Sequence, residues 1–256
     1  MIAALPMYDR PELTGATDRY WALIRDGLRA QGIAAPNALR RGDAELMPQW
    51  LMPDLLVSQT CGFPYRARLH GKVRLVGTPD FGVEGCPPGY YRSVLIARAD
   101  DPRQALADFD GVAMAYNDAL SQSGWAAPQN HAAALGLRFP AGIMTGGHAA
   151  SLLAVAEGRA DLAALEAVTF RLLSRSEAAA AAVKVVAMTD PTPGLPYICA
   201  EAVDADVVFD AIAAAIPALE AADRAALGLR GLCRIPAETY LSVPTPPPPA
   251  GNPPEN

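Results

Sequence analysis

One pattern repeats along most of this chain: a short apolar run, a polar turn, then a longer amphipathic stretch. Apolar runs at Ile2–Met7, Asp54–Ser58, Val73–Gly77, Tyr91–Arg98, Gly111–Tyr116, Ala141–Thr145, Ala160–Leu165 and Val183–Met188 are expected to be strands. Helices are expected over 17–31, 123–137 (interrupted early by Pro128), 148–157, 166–181 and 204–219. In the first of these, Tyr20, Trp21, Leu23, Ile24 and Leu28 share one face, Thr17 or Asp18 is placed to cap it, and Gly32 to end it. Strands alternating with helices in this way predict an α/β protein with largely parallel sheets.

Composition then narrows the function. With 256 residues and 51% hydrophobic side chains, the chain can build one large domain or two lobes of about 100 residues each. The formal charge is −6 and the only lysines are Lys72 and Lys184, so there is no basic stripe, which argues against a nucleic-acid partner. An acidic chain can still bind an anion, but only through local backbone N–H groups, hydroxyls and a few cations. Cys61, Cys86, Cys199 and Cys233, like His70, His131 and His148, are dispersed and lack metal-ligand spacing, so no metal or cofactor is expected. No apolar run approaches the ~20 residues that span a bilayer. The first residues read as a core strand, with no basic leader, so the chain is expected to be cytoplasmic unless a leader has been removed, in which case periplasmic. The last stretch, 242–256, carries seven prolines and is expected to be a disordered or polyproline tail.

In open α/β sheets ligands sit beyond the carboxyl ends of strands, near helix N-termini. Three junctions fit. In Tyr116-Asn-Asp-Ala-Leu-Ser-Gln-Ser-Gly124, a strand ends, Ser121 and Ser123 supply hydroxyls, and Gly124 allows close approach to the backbone. The first N–H groups of the helix that follows carry the positive end of its dipole, which suits an anion. An ordinary serine-capped helix would carry the same residues. Gly146 and Gly147 precede His148 in a first helical turn, where it can donate to the same oxyanion or sit in a surface cap. Glu166 lies at a strand end, where it can meet a ligand proton or ammonium, or simply cap the next helix. On another segment, Thr60 and Cys61 follow a strand end, and Tyr90 and Tyr91 open a strand. Ser121 or Ser123 with His148 and Asp118 could be imagined as a hydrolytic triad, but no Gly-x-Ser-x-Gly elbow, phosphate-binding loop or dinucleotide fingerprint accompanies them.

The segments Ser58-Gln-Thr-Cys-Gly-Phe-Pro64, Tyr91-Arg-Ser93, Ser121-Gln-Ser-Gly124, Gly147-His-Ala-Ala-Ser151 with Gly158-Arg-Ala-Asp161, and Thr189-Asp-Pro-Thr-Pro193 occur in this order over residues 1–240. Together they resemble the phosphate, phosphite and phosphonate substrate-binding proteins of ABC transporters, the PhnD-like branch of type 2 periplasmic binding proteins. That resemblance implies two α/β lobes joined by two crossover strands: residues 1–92 plus 187–241 as lobe one and 93–186 as lobe two, with 242–256 as the tail. It implies non-enzymatic binding of a small phosphonate, phosphite or phosphate oxyanion in an interlobe cleft, with an ABC permease as partner, or a soluble relative that senses or carries its ligand. The alternative is a cytoplasmic enzyme on the same fold, like the thiamine-precursor synthases. The family's anion pocket falls on Ser121, Gln122, Ser123 and Gly124 with Tyr91, His148 and Glu166, and with Thr60 and Cys61 from the other lobe; Asp190 is a weaker candidate. Gln122 stands where the family usually has threonine, and its amide both donates and accepts.

Overall fold

Strands of three to eight residues cannot bury their backbones alone, and here they pair into two five-stranded sheets. A computed structural model describes residues 1–42 and 45–250. The described chain divides into two units: residues 1–90 with 193–242, and residues 91–192 with 243–250. The chain therefore passes between units three times, at 90–91, 192–193 and 242–243, the last through the proline-rich segment.

In the first unit the sheet order is Ile2–Ala4, Leu55–Gln59, Tyr197–Ala200, Val73–Asp80, Gly231–Cys233. The first two strands are parallel, and Tyr197–Ala200 runs antiparallel between its neighbours. The helix Thr14–Ala30 turns Tyr20, Trp21, Ile24 and Leu28 into the core, as its apolar spacing requires. It starts earlier than expected, so Thr17 is buried within it instead of capping it. Gly32, at φ +80°, terminates it with its N–H on the Arg29 carbonyl. The expected strand 2–7 stops at Ala4, because Pro6 opens a short 3-10 turn, Pro6–Tyr8. The helix Ala205–Ala218 is capped by Asp204, which accepts from the Asp206 and Val207 N–H groups.

In the second unit the order is Ala141–Met144, Met114–Tyr116, Leu162–Glu166, Ser93–Arg98, Val183–Met188. Met114–Tyr116 is parallel to both its neighbours, whereas Ser93–Arg98 is antiparallel to Leu162–Glu166 and to Val183–Met188. Four strands thus point the same way and one points back. The core is Val94, Ile96, Ala115, Leu152, Val155, Ala163, Leu165 and Leu173, contributed by strands and by the helices His148–Ala156 and Ala167–Ser176.

This topology sets one edge of the second sheet apart. The carboxyl ends of the four co-directed strands, at Tyr116, Met144, Glu166 and Met188, meet the amino end of the reversed strand at Ser93. Polar residues that flank apolar strands in the sequence are gathered on that edge.

The expectation of a disordered or polyproline tail meets, as far as residue 250, a proline-rich segment held by hydrogen bonds. Proline has no N–H to donate, but its carbonyl still accepts: Asn130 Nδ2 donates to Pro244 O (2.8 Å) and Trp125 Nε1 to Pro247 O (3.0 Å). The remainder of that expectation, 251–256, lies outside the described residues.

Candidate functional site

The site grows from the helix that follows Tyr116. Ser121 is in the extended region (φ −74°, ψ 124°) and caps the helix, its Oγ accepting from the Gly124 N–H at 2.9 Å. The helix begins one residue earlier than the sequence suggests, at Gln122. Its first turn, Gln122–Ala126, is π-wound, with the Trp125 and Ala126 N–H groups both donating to the Ser121 carbonyl (3.2 and 3.0 Å). It continues as Ala127–Ala134, where Pro128 follows the π-wound turn; the Ser123 carbonyl, five residues before it, accepts from Ser93 Oγ. Since Ser121 Oγ accepts from Gly124, its own hydrogen is left to donate elsewhere.

Gly124 also makes room for a neighbouring side chain. A Cβ there would lie 1.8 Å from Asn117 Oδ1 and 2.9 Å from Asn117 Cγ. The space a side chain would fill holds the Asn117 amide, while the Gly124 N–H is committed to Ser121.

Ser123 and His148 meet at this start. Ser123 is 3% exposed, and its Oγ lies 2.9 Å from His148 Nε2. His148 opens the helix His148–Ala156 behind an extended Gly147 that offers no side-chain cap. Burial pushes its imidazole down to about 4, outweighing the opposing effect of the Ala164 carbonyl, so the ring is neutral at neutral pH. A neutral ring and a hydroxyl share one hydrogen across that contact; the tautomer decides which is the donor.

Two residues that sequence reasoning passed over hold Ser123 in place. Ser93 Oγ donates to the Ser123 carbonyl (2.9 Å), and the Ser93 N–H donates to Thr189 Oγ1 (3.0 Å). Both are buried. Each is a hydroxyl residue at the end of an otherwise apolar strand, within a segment that carries the family resemblance.

Glu166 is 2% exposed and caps Ala167–Ser176. Oε1 accepts from the Val168 N–H at 2.9 Å; Oε2 accepts from the Thr169 N–H at 2.7 Å and its hydroxyl at 3.0 Å. The Asp118 carboxylate accepts from the Leu120 N–H at 2.7 Å, within its own turn. Gln122 and Tyr91 are buried in the same unit as Ser121, Ser123, Gly124, His148 and Glu166. Thr60 and Cys61 belong to the first unit, where the Thr60 N–H donates to Pro196 O and its hydroxyl reaches the Cys61 carbonyl at 3.5 Å. Asp190 is exposed. Among the described residues no group of histidine, cysteine, aspartate and glutamate is arranged to hold a metal ion, and no helix is long and apolar enough to cross a membrane.

The chain can be set beside known proteins. A family model described as "ABC transporter, phosphonate, periplasmic substrate-binding protein" matches residues 64–235. No curated protein sequence matches the chain. Among solved structures, PhnD1 from Prochlorococcus marinus in complex with methylphosphonate is similar with a TM-score of 0.70 at 12% identity, over 93% of this chain and 94% of that one. A binding-protein component of an ABC phosphonate transporter from Pseudomonas aeruginosa gives 0.67 at 16% identity, over 91% and 80%. A Xanthomonas citri protein bound to ATP gives 0.67 at 16%, over 95% and 94%. At such identities the likeness establishes the fold, that of the type 2 periplasmic binding proteins.

Proposed function

The chain belongs to the family of periplasmic substrate-binding proteins of phosphonate ABC transporters, and we propose that it binds a small tetrahedral phosphorus oxyanion at the helix start 121–124. The observation that carries this is the contact of Ser123 Oγ with a neutral His148 at a helix N-terminus. An acidic protein need not rely on a cation there. It can offer instead the Ser121 hydroxyl hydrogen, the Ser123–His148 pair and the dipole of a helical run through residue 134. A neutral ring that adjusts its tautomer can complement either a P–O⁻ or a P–OH group.

Glu166 bears on which oxyanion this is. Its two oxygens accept three hydrogen bonds from the first turn of the next helix, so a ligand ammonium would compete with that cap for the carboxylate. We therefore expect methylphosphonate, phosphite or phosphate to bind more tightly than 2-aminoethylphosphonate. The role of such a protein is capture without turnover and delivery to a permease.

Thermal-shift measurements with these four ligands, followed by calorimetry, test the reading. A ligand at 100 times its dissociation constant should add about 2.7 kcal/mol to stability. No shift with any of them, or consumption of the bound compound with time, would sink the proposal.

A further inference from the structure

The proline-rich segment is seated on the helix that starts the proposed anion site. Its two donors, Trp125 and Asn130, are five residues apart, about 7.5 Å of helical rise at 1.5 Å per residue. The two acceptors, Pro247 and Pro244, are three residues apart, about 9.3 Å in a polyproline II helix, whose three-residue turn returns successive carbonyls to one face. The pairing is antiparallel, Pro244 with Asn130 and Pro247 with Trp125, and the two spacings agree to about 2 Å. Pro249 is buried. An indole N–H on a proline carbonyl is how aromatic grooves take polyproline ligands from other chains; here the ligand is the chain's own C-terminal segment.

Trp125 is not an ordinary surface anchor. It is 4% exposed, lies in the π-wound turn with Ser123 and Gly124, and packs its ring 5.2 Å from that of Tyr116 at the preceding strand end. A force on the indole is therefore felt within one helical turn of the Ser121 and Ser123 hydroxyls.

We propose that residues 243–250 form a built-in polyproline strap that fixes the first turn of this helix, so that anion affinity depends on the strap being seated. The coupling to affinity rests on the proposed anion site; the docking on Trp125 does not.

The test compares the intact chain, a chain ending at Ser242, and the intact chain carrying Asn130→Ala. Each is read by tryptophan emission, with a Trp125→Phe spectrum subtracted, and by calorimetry with methylphosphonate. Removing the strap should red-shift the Trp125 emission and weaken methylphosphonate binding about three- to tenfold, the loss of one or two ordinary hydrogen bonds in positioning. A synthetic peptide of residues 243–256 added to the truncated chain should restore both readouts. Asn130→Ala, which leaves the Trp125 anchor, should give smaller changes of the same sign. Unchanged emission in the truncated chain overturns the docking, and a red shift with unchanged affinity overturns the coupling. If the intact chain binds no oxyanion, the proposed function fails, and emission with peptide rescue still decides the docking.

Discussion

Gly124→Ala is the substitution whose outcome the structure constrains most tightly. An alanine Cβ would sit 1.8 Å from Asn117 Oδ1, 2.9 Å from its Cγ and 3.2 Å from Ser121 Oγ. The first two distances cannot persist, so the Asn117 amide must move. Overpacking of this kind costs about 1–3 kcal/mol. Replacing a helical glycine returns about 0.5–1 kcal/mol of backbone entropy, and Gly124 has no positive φ to oppose the change. From the middle of both ranges, the net loss should be about 1 kcal/mol. Urea unfolding measures it, and the slope should not change. The companion variant Asn117→Ala vacates the contested space, so the double variant should regain most of the loss, with a coupling of about 1 kcal/mol or more. Anion affinity, measured alongside, should fall in Gly124→Ala and recover in the double variant. If Gly124→Ala is as stable as the parent, or the double variant fails to recover, the steric argument is wrong. If stability recovers and affinity does not, Gly124 serves ligand approach instead.

Three further outcomes follow from the same geometry. Ser123→Ala takes the partner from His148 Nε2 and should weaken oxyanion binding by about 1.5–3 kcal/mol in calorimetry, the range for hydrogen bonds to charged groups; unchanged affinity would mean the site is elsewhere. Glu166→Gln puts an amide donor where one of two N–H-accepting oxygens stood, and should cost about 1–2 kcal/mol in urea unfolding while changing methylphosphonate and 2-aminoethylphosphonate affinities alike. A selective loss for the amino compound would restore an ammonium role for Glu166. Burial pushes the folded-state His148 imidazole down to about 4 from its ordinary 6.5, so the unfolded chain takes up its proton more readily. Its contribution is complete above about pH 6.5 and is lost as pH falls through 4, a total of about 3 kcal/mol. His148→Gln should lack that component, and parallel urea-midpoint profiles for parent and variant between pH 7 and 4.5 would contradict it.

The strand–helix rhythm was legible because a buried strand or an amphipathic helix needs only local pattern. Residues 93–98, 183–188 and 148–156 lie close to where their apolar spacing puts them. Tyr197–Ala200 and Gly231–Cys233 were not legible: they are short, and long-range pairing with Val73–Asp80 makes them strands. Ser121, Ser123 and His148 could be picked out because hydroxyls and a histidine at strand-to-helix junctions are visible in the chain. The contact between Ser123 and His148, 25 residues apart, depends on two parallel strands ending at one edge. The support from Ser93 and Thr189 needs a reversed strand between two others, which no local pattern encodes. Prolines 244 and 247 read as breakers because their missing donors are evident in the sequence, whereas the partners of their carbonyls are not.

The central claim is that an acidic chain of this family holds a phosphorus oxyanion with hydroxyls and a neutral histidine at one helix start. Calorimetric titration of methylphosphonate into the intact chain and into Ser123→Ala, at pH 7, tests it most directly. The account predicts saturable binding of one anion per chain, weakened about tenfold or more by the substitution, a change of about 1.4 kcal/mol or greater. Identical isotherms for the two proteins, or no heat from the intact chain with methylphosphonate, phosphite or phosphate, would contradict it.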